Sequence, residues 1–277
     1  MTIADARRRR ERRRALRASL IALAITVAVI GGLAVVVVNA PGWASVERSF
    51  LDRTVFLDAL PGVVGAFAVN IRLFVTAELL VLVFGLLLAV MRSLPGPVFF
   101  PIRILSTIYT DVFRAIPGVL VIFVLGFGIP GLGLLDPRTD RIWFGVLGLT
   151  LVYSAYVSEV YRAGIESVHP SQDAAARSLG LSRLQSLRYV VVPQAVRRVI
   201  PPLLNDFIGL QKDTVLVSFI GLVEIFRFAQ IKQAAAFNFT PYMAVALVFI
   251  VVTIPLTRLT DWLIARDRRQ SASGGRV

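Results

Sequence analysis

The chain alternates long apolar runs with short polar segments, and most of the runs are long enough to cross a bilayer. A membrane-spanning helix needs about 20 predominantly apolar residues. The pattern predicts six crossings, at residues 18–39, 63–91, 116–134, 142–163, 198–221 and 242–264. Between the second and the third, the stretch 98–115 predicts a helix that lies along or enters the membrane. We therefore expect an all-α integral membrane protein with six transmembrane helices.

Composition supports a membrane location, because 56% of the residues are hydrophobic and the mean hydropathy is +0.75. A water-soluble domain needs polar residues to cover its surface, and this composition contains too few of them. The sequence contains no cysteine, which excludes disulfides and thiolate chemistry. Its single histidine, His169, cannot form a metal cluster alone, so we expect a polar loop residue there and no metal site.

Basic residues lie mostly on one side of the predicted crossings. Eight arginines occupy the first 17 residues, directly before the first apolar run. Other basic residues concentrate in segments 92–114, 162–198 and 266–276, and few lie in 40–62, 135–141 and 222–241. Because cytoplasmic segments carry such an excess, we expect both termini in the cytoplasm and a multi-pass protein of the cell (inner or plasma) membrane. The net charge of +13 then indicates contact with lipid and not with nucleic acid.

The predicted cytoplasmic loop 164–197 contains two short helices. Ser171 is expected to cap the first, and Gly180 to supply its left-handed exit. Ser182 and Gln185 form a capping box at the start of the second, and Pro193 is expected to end the segment. Four leucines make this loop more apolar than a solvated loop should be, so they should pack against the chain's own helices or a partner: Leu179, Leu181, Leu184 and Leu187.

The same loop resembles the EAA loop of type I ABC importer permeases. That pattern is Glu-Ala-Ala, three residues, Gly, nine residues and Ile-x-Leu-Pro. The residues in register are Ala175, Ala176, Gly180, Val190, Val192 and Pro193. The position of the glutamate is Ala174, and Asp173 supplies a carboxylate one residue earlier. The resemblance implies that the segment contacts an ATPase, through Asp173, Ala174, Ala175, Ala176, Gly180, Leu181 and Pro193.

Further motifs are similar to those of the permeases for polar amino acids of the histidine, glutamine and glutamate class. They lie in order at Phe113–Pro117, Tyr156–Ile165, Val192–Ala195, Pro201–Ile208 and Lys212–Leu216. The resemblance implies a five-helix core preceded by one additional helix. The expected organisation is a basic tail (1–17), an anchor helix with an outer loop (18–62), the permease domain (63–265) and a cytoplasmic tail (266–277).

The resemblance also implies partners. The chain lacks the G-x-x-x-x-G-K-[ST] phosphate loop, so it is not expected to be an enzyme or to hold a cofactor. ATP and Mg would be bound by a separate ABC ATPase subunit. An extracytoplasmic substrate-binding protein would deliver the substrate, and a second permease chain, identical or related, would complete the path. The amino acid carried stays open among glutamate, glutamine, arginine, histidine and cystine.

Ionisable residues, and one polar neighbour, inside predicted crossings are the candidates for a substrate path. They are expensive in lipid and usually face a partner or a water-filled cavity. The candidates are Asp206, Lys212, Asp213, Thr214 and Glu78. Lys212 and Asp213 have an alternative interpretation as a local ion pair. Glu159 and Arg162, three residues apart on a helix, predict a structural salt bridge.

Two other functions are compatible with some of these features. One is an ABC permease for a different small polar solute. The other is an ion-driven secondary transporter, for which an inverted repeat between the two halves would be expected, and none is evident. A membrane enzyme is disfavoured because no nucleophile–base set or metal cluster is present in the sequence.

Overall fold

The structure is a computed structural model that describes the backbone of residues 3–133 and 139–273, and the side chains of residues 15–133 and 139–266. These residues form helices and no strand. The first compact unit ends at Asp52 and contains α1 (Ile3–Val38) and α2 (Trp43–Phe50). The second begins at Arg53 and contains α3 (Arg53–Ser93), α4 (Phe100–Ala115), α5 (Gly118–Phe123), α6 (Ile129–Gly131), α7 (Ile142–Glu166), α8 (Pro170–Ser178), α9 (Arg183–Ser186), α10 (Val192–Asp213), α11 (Ile225–Ala236) and α12 (Thr240–Ser273).

Four of these helices, α1, α3, α7 and α12, contain an apolar segment long enough to cross a membrane. Two further candidates are bent. Helix α4 meets the α5–α6 segment at 103°, and the helical segment that ends at Ile220 meets α11 at 50°. The described residues therefore offer four to six spans. The predicted crossing 116–134 largely corresponds to the second arm of the first bent pair, and 198–221 lies in the first arm of the second pair.

The core of the second unit is the contact between α3 and α7. On α3 the buried side recurs every fourth residue, at Leu73, Ala77, Val81, Gly85 and Ala89. A Cβ atom on Gly85 would lie 2.7 Å from Val157 Cγ1 on α7, so only glycine permits this approach. Membrane helices lack a hydrophobic driving force between them, and small residues allow the close van der Waals contact that replaces it.

Two predicted boundaries are wrong, and a proline is involved in each. Helix α3 begins at Arg53, well before residue 63, and contains Pro61. Pro201 and Pro202 lie inside α10 and do not interrupt it. Pro193 does not end the coupling segment, because a π-helical turn at Leu187–Val191 leads directly into α10. In that turn the Val192 amide bonds to the Leu187 carbonyl, five residues back. This shifted register lets the chain continue helically into a residue that has no N–H group.

The C-terminal region is also more regular than expected. Helix α12 extends to Ser273, through most of the segment 266–277 that the sequence suggested as a tail. Pro255 lies inside this helix. Such prolines are tolerated in membrane helices because neighbouring groups satisfy the freed carbonyls.

Candidate coupling segment and translocation cavity

The first helix of the predicted coupling loop begins two residues earlier than expected. His169, and not Ser171, is the capping residue of α8: its Nδ1 accepts a hydrogen bond from the Ser171 amide at 3.2 Å. Pro170 occupies the first helical position, where its fixed φ angle favours helix initiation. His169 is exposed and lies outside the helix, as expected for a polar loop residue, and it has the additional role of capping α8.

The turn between α8 and α9 agrees with the sequence. Gly180 has φ +88°, the left-handed conformation predicted for it. The capping box is formed: the Ser182 amide donates to Gln185 Oε1 at 2.9 Å, and the Gln185 amide donates to Ser182 Oγ at 3.3 Å. Asp173 has a role that the sequence did not suggest. Its Oδ1 accepts a hydrogen bond from Ser186 Oγ at 2.6 Å and so joins α8 to α9.

We call residues 170–186, which include both helices and the Gly180 turn, the knob. Its outer surface includes two large apolar side chains. Leu179 is 86% exposed and Leu184 is 74% exposed, so they do not pack against the chain's own helices. Of the three consecutive alanines, Ala174 and Ala175 are exposed and only Ala176 is buried. Exposed leucines on a hydrogen-bonded helix pair are typical of a surface that a protein partner covers.

A separate cavity of about 280 Å³ lies where α5, α7 and α10 meet. We call it the acidic cavity because Asp206 and Asp213 both line it and no basic side chain does. Tyr153 donates a hydrogen bond to Asp213 Oδ2 at 2.8 Å. Asp206 Oδ2 is buried and has no hydrogen-bond partner among the described residues. The complete lining is Gly118, Val152, Tyr153, Tyr156, Asn205, Asp206, Gly209, Asp213 and Leu216.

The structure therefore separates the five residues that were candidates for the path. Asp206 and Asp213 share the acidic cavity. Lys212 is exposed and forms no ion pair with Asp213, so the local-pair interpretation is wrong. Glu78 does not line the cavity but is close enough to Asp206 for their charges to interact. Thr214 is fully buried elsewhere.

Thr214 belongs to a buried cluster of polar side chains that the sequence did not reveal. Asn70 Nδ2 donates to Thr214 Oγ1 at 3.0 Å and to Glu224 Oε2 at 2.9 Å. Glu224 caps α11 by accepting from the Phe226 and Arg227 amides at 3.1 and 2.8 Å. We call Asn70, Thr214 and Glu224 the polar node. It joins α3, the end of α10 and α11. An acid directly before the apolar start of α11 was the one usable signal.

Charged side chains also meet where α3, α4 and α7 come together. The predicted pair is confirmed, with Arg162 Nη2 2.8 Å from Glu159 Oε2. Arg92 forms a second ion pair with Glu159, and Arg114 Nη1 lies 3.8 Å from it. Arg162 also pairs with Glu166 at 2.6 Å. This cluster is larger than the single pair that the sequence indicated.

The described residues are largely helical and offer four to six candidate membrane spans, which is typical of an integral membrane protein. The family model described as "Binding-protein-dependent transport system inner membrane component" matches residues 81–269. The chain belongs to this family, in which the ATPase is a separate component. Membership of this family rules out the alternative of an ion-driven secondary transporter, which the sequence had left open.

Several similar proteins are amino acid permeases. The chain is 38% identical to the probable glutamine ABC transporter permease protein GlnM of Bacillus subtilis, over 66% of this chain and 83% of that one. It is 31% identical to the arginine transport system permease protein ArtQ of the same organism, over 75% and 93%. Among solved structures, "an amino acid ABC transporter with histidines" superimposes with a TM-score of 0.69 at 31% identity, covering 76% of this chain and 96% of that one.

Proposed function

We propose that this chain is the membrane-spanning subunit of an ATP-driven importer of polar amino acids. It crosses the cell (inner or plasma) membrane six times with both termini in the cytoplasm. Two permease chains, an ABC ATPase that binds ATP and Mg, and an extracytoplasmic binding protein complete the transporter. The observation that carries this proposal is the knob, whose leucines are exposed although its helices are internally hydrogen-bonded.

The knob has the properties needed to transmit force between subunits. Its two helices are held together by the Asp173–Ser186 hydrogen bond and the Ser182–Gln185 capping box. A segment that is held together internally and exposes leucines on its outer surface can dock into a groove of an ATPase and move with it. A π-helical turn then connects it directly to α10, which lines the acidic cavity. ATP-driven movement of the knob would therefore reach the cavity through one helix.

The acidic cavity supports a further specification of the substrate. Every amino acid carries an ammonium group, which one carboxylate can bind. The cavity has two carboxylates, Asp206 and Asp213, and no lysine or arginine in its lining. Since like charges repel an additional carboxylate, we propose that amino acids with a cationic side chain, such as arginine or protonated histidine, are preferred over glutamate.

The knob can be tested by removing its exposed leucines. Replacing Leu179 and Leu184 together with serine should leave the chain folded, because neither side chain is buried. Each leucine that a partner buries contributes about 1.5–3 kcal/mol, so the ATPase should bind at least tenfold more weakly. The measurement is the amount of ATPase that co-purifies with tagged permease from membranes.

Leu132→Ser is the matched control, since Leu132 is 68% exposed but lies directly after α6, outside the knob. Its co-purification should equal that of the unmodified chain. Unchanged ATPase binding in the double leucine variant would refute the knob as the contact with the ATPase.

A further inference from the structure

A second cavity, of about 580 Å³, opens beside the charged cluster, between α4 and the ends of α3 and α7. Its lining has two chemically distinct parts. Three arginines form one part: Arg92, Arg103 and Arg162. The other part is an apolar stripe on α4, made by Phe100, Ile104 and Ile108. The acidic cavity has no such division, and the proposed transport function leaves this second cavity unused.

The charge of the arginine part is not balanced by the acids around it. Glu159 and Glu166 pair with Arg92 and Arg162. Arg103 forms no ion pair within the described residues. Instead its Nη1 donates to the carbonyls of Leu94 and Gly96 at 2.8 and 2.6 Å, which hold it in place. A fixed guanidinium without a carboxylate beside it is suited to bind an anion, and phosphate is the anion that guanidinium groups match best.

The apolar part indicates what kind of phosphate fits. Phe100, Ile104 and Ile108 are spaced four residues apart, so they lie on one face of α4. They are 55%, 41% and 54% exposed, although they are large and apolar. A free phosphate ion has no apolar group that could contact the apolar stripe, and the phosphates of a nucleotide have none either. A phospholipid needs both parts, because its headgroup binds the arginines while an acyl chain lies along the stripe.

We propose that this cavity binds the phosphate headgroup of an anionic phospholipid, such as phosphatidylglycerol, from the cytoplasmic leaflet. The assignment to the cytoplasmic leaflet rests on the proposed function and its orientation, in which the C-terminal end of α7 faces the cytoplasm. Basic pockets between helices on that side are recurrent sites for anionic headgroups. The bound lipid would lie against α4 and next to Glu159 and Arg162, and would join α4 to the end of α7 that precedes the knob.

The test measures lipid that stays bound to the assembled complex. The complex is reconstituted in equal parts of phosphatidylglycerol and phosphatidylcholine, extracted in mild detergent, and its retained lipids are quantified by mass spectrometry. Arg103→Gln should reduce retained phosphatidylglycerol about fivefold, the effect of one basic residue near an anionic surface. Arg258→Gln is the matched control. It removes the same charge from an exposed site on α12 and should retain the unmodified amount.

A second variant separates a lipid from a free anion. Ile104→Ser leaves the three arginines in place, so it should lower retained phosphatidylglycerol if an acyl chain lies on the stripe. Equal retention of phosphatidylglycerol in Arg103→Gln, Ile104→Ser and the control would overturn the proposal. Complete displacement of the lipid by millimolar inorganic phosphate, with Ile104→Ser behaving normally, would also overturn it, in favour of a free-anion site. Because retention is measured without transport, loss of the proposed transport function would not change either result.

Discussion

The polar node and the acidic cavity both lie at the end of α10, yet their carboxylates differ in hydrogen bonding. In the node, the Glu224 carboxylate accepts hydrogen bonds from Asn70 and two backbone amides, and its side chain is fully buried. In the cavity, Asp206 Oδ2 has no partner among the described residues. Thr214 and Asp213 are adjacent in sequence, but one belongs to each site.

This difference distinguishes a scaffold from a binding surface. A buried polar group with its hydrogen bonds satisfied stabilises one arrangement of helices. A buried carboxylate oxygen without a partner costs free energy, unless a ligand supplies the donor for part of the working cycle. We therefore assign the node to holding α3 and α11 against the end of α10, and the cavity to contact with substrate.

The largest effect is expected from removing the node's acid. Glu224→Ala leaves the Asn70 amide and the Phe226 and Arg227 backbone amides without their acceptor. At about 1–3 kcal/mol for each of these three unsatisfied groups, the free energy of unfolding should fall by roughly 3–9 kcal/mol. The measurement is the midpoint of thermal unfolding of the purified protein, together with its yield in membranes.

Glu166→Ala is the control for this variant, because Glu166 is 61% exposed and takes part only in a surface ion pair. Such pairs contribute about 0–1 kcal/mol. If Glu224→Ala were as stable as Glu166→Ala, the node would not be the scaffold that its hydrogen bonds indicate.

A smaller effect is expected at the edge of the acidic cavity. Tyr153→Phe removes the hydroxyl that orients Asp213 and changes little else. The loss of one such hydrogen bond corresponds to about 1 kcal/mol, so uptake should fall about fivefold while unfolding changes little. Initial uptake rates in vesicles measure this. Uptake within twofold of normal would show that Asp213 needs no orientation by Tyr153.

The smallest effect is expected at Lys212. Its side chain is exposed and does not pair with Asp213, so Lys212→Met should change stability by no more than about 0.5 kcal/mol. Uptake normalised to the amount of assembled complex should also stay near normal. A large loss of uptake would place Lys212 in the path. It would contradict the restriction of the path to the residues that line the acidic cavity.

The sequence predicted local features better than tertiary ones. Gly180 needs a left-handed conformation and Ser182 has its capping partner three residues away, so short-range rules were sufficient for both. Pro193 was expected to end its segment, but the π turn directly before it accommodates the proline and the chain stays helical. That accommodation depends on hydrogen bonds that a proline pattern does not encode.

Sites formed by distant residues were largely beyond the sequence. Asn70 and Glu224 are separated by 154 positions, and nothing in either local pattern indicates their contact. The charge at Asp206 and Asp213 was noticed because charges in apolar runs are rare. Asp213 lies in the acidic cavity and the next residue, Thr214, lies in the polar node. This difference depends on the tertiary arrangement of α3, α7 and α10.

The most direct test of the distinction between scaffold and path is Asp206→Asn in vesicles that contain the ATPase and binding protein. Removing this charge should cost the substrate a charged hydrogen bond of about 1.5–3 kcal/mol, a loss of uptake of roughly ten- to a hundredfold. ATP hydrolysis should still respond to the binding protein, and the unfolding midpoint should not fall, because Asp206 Oδ2 has no partner to lose. Near-normal uptake of a cationic amino acid by Asp206→Asn, or its unfolding at a clearly lower temperature, would contradict the assignment of the acidic cavity to the path.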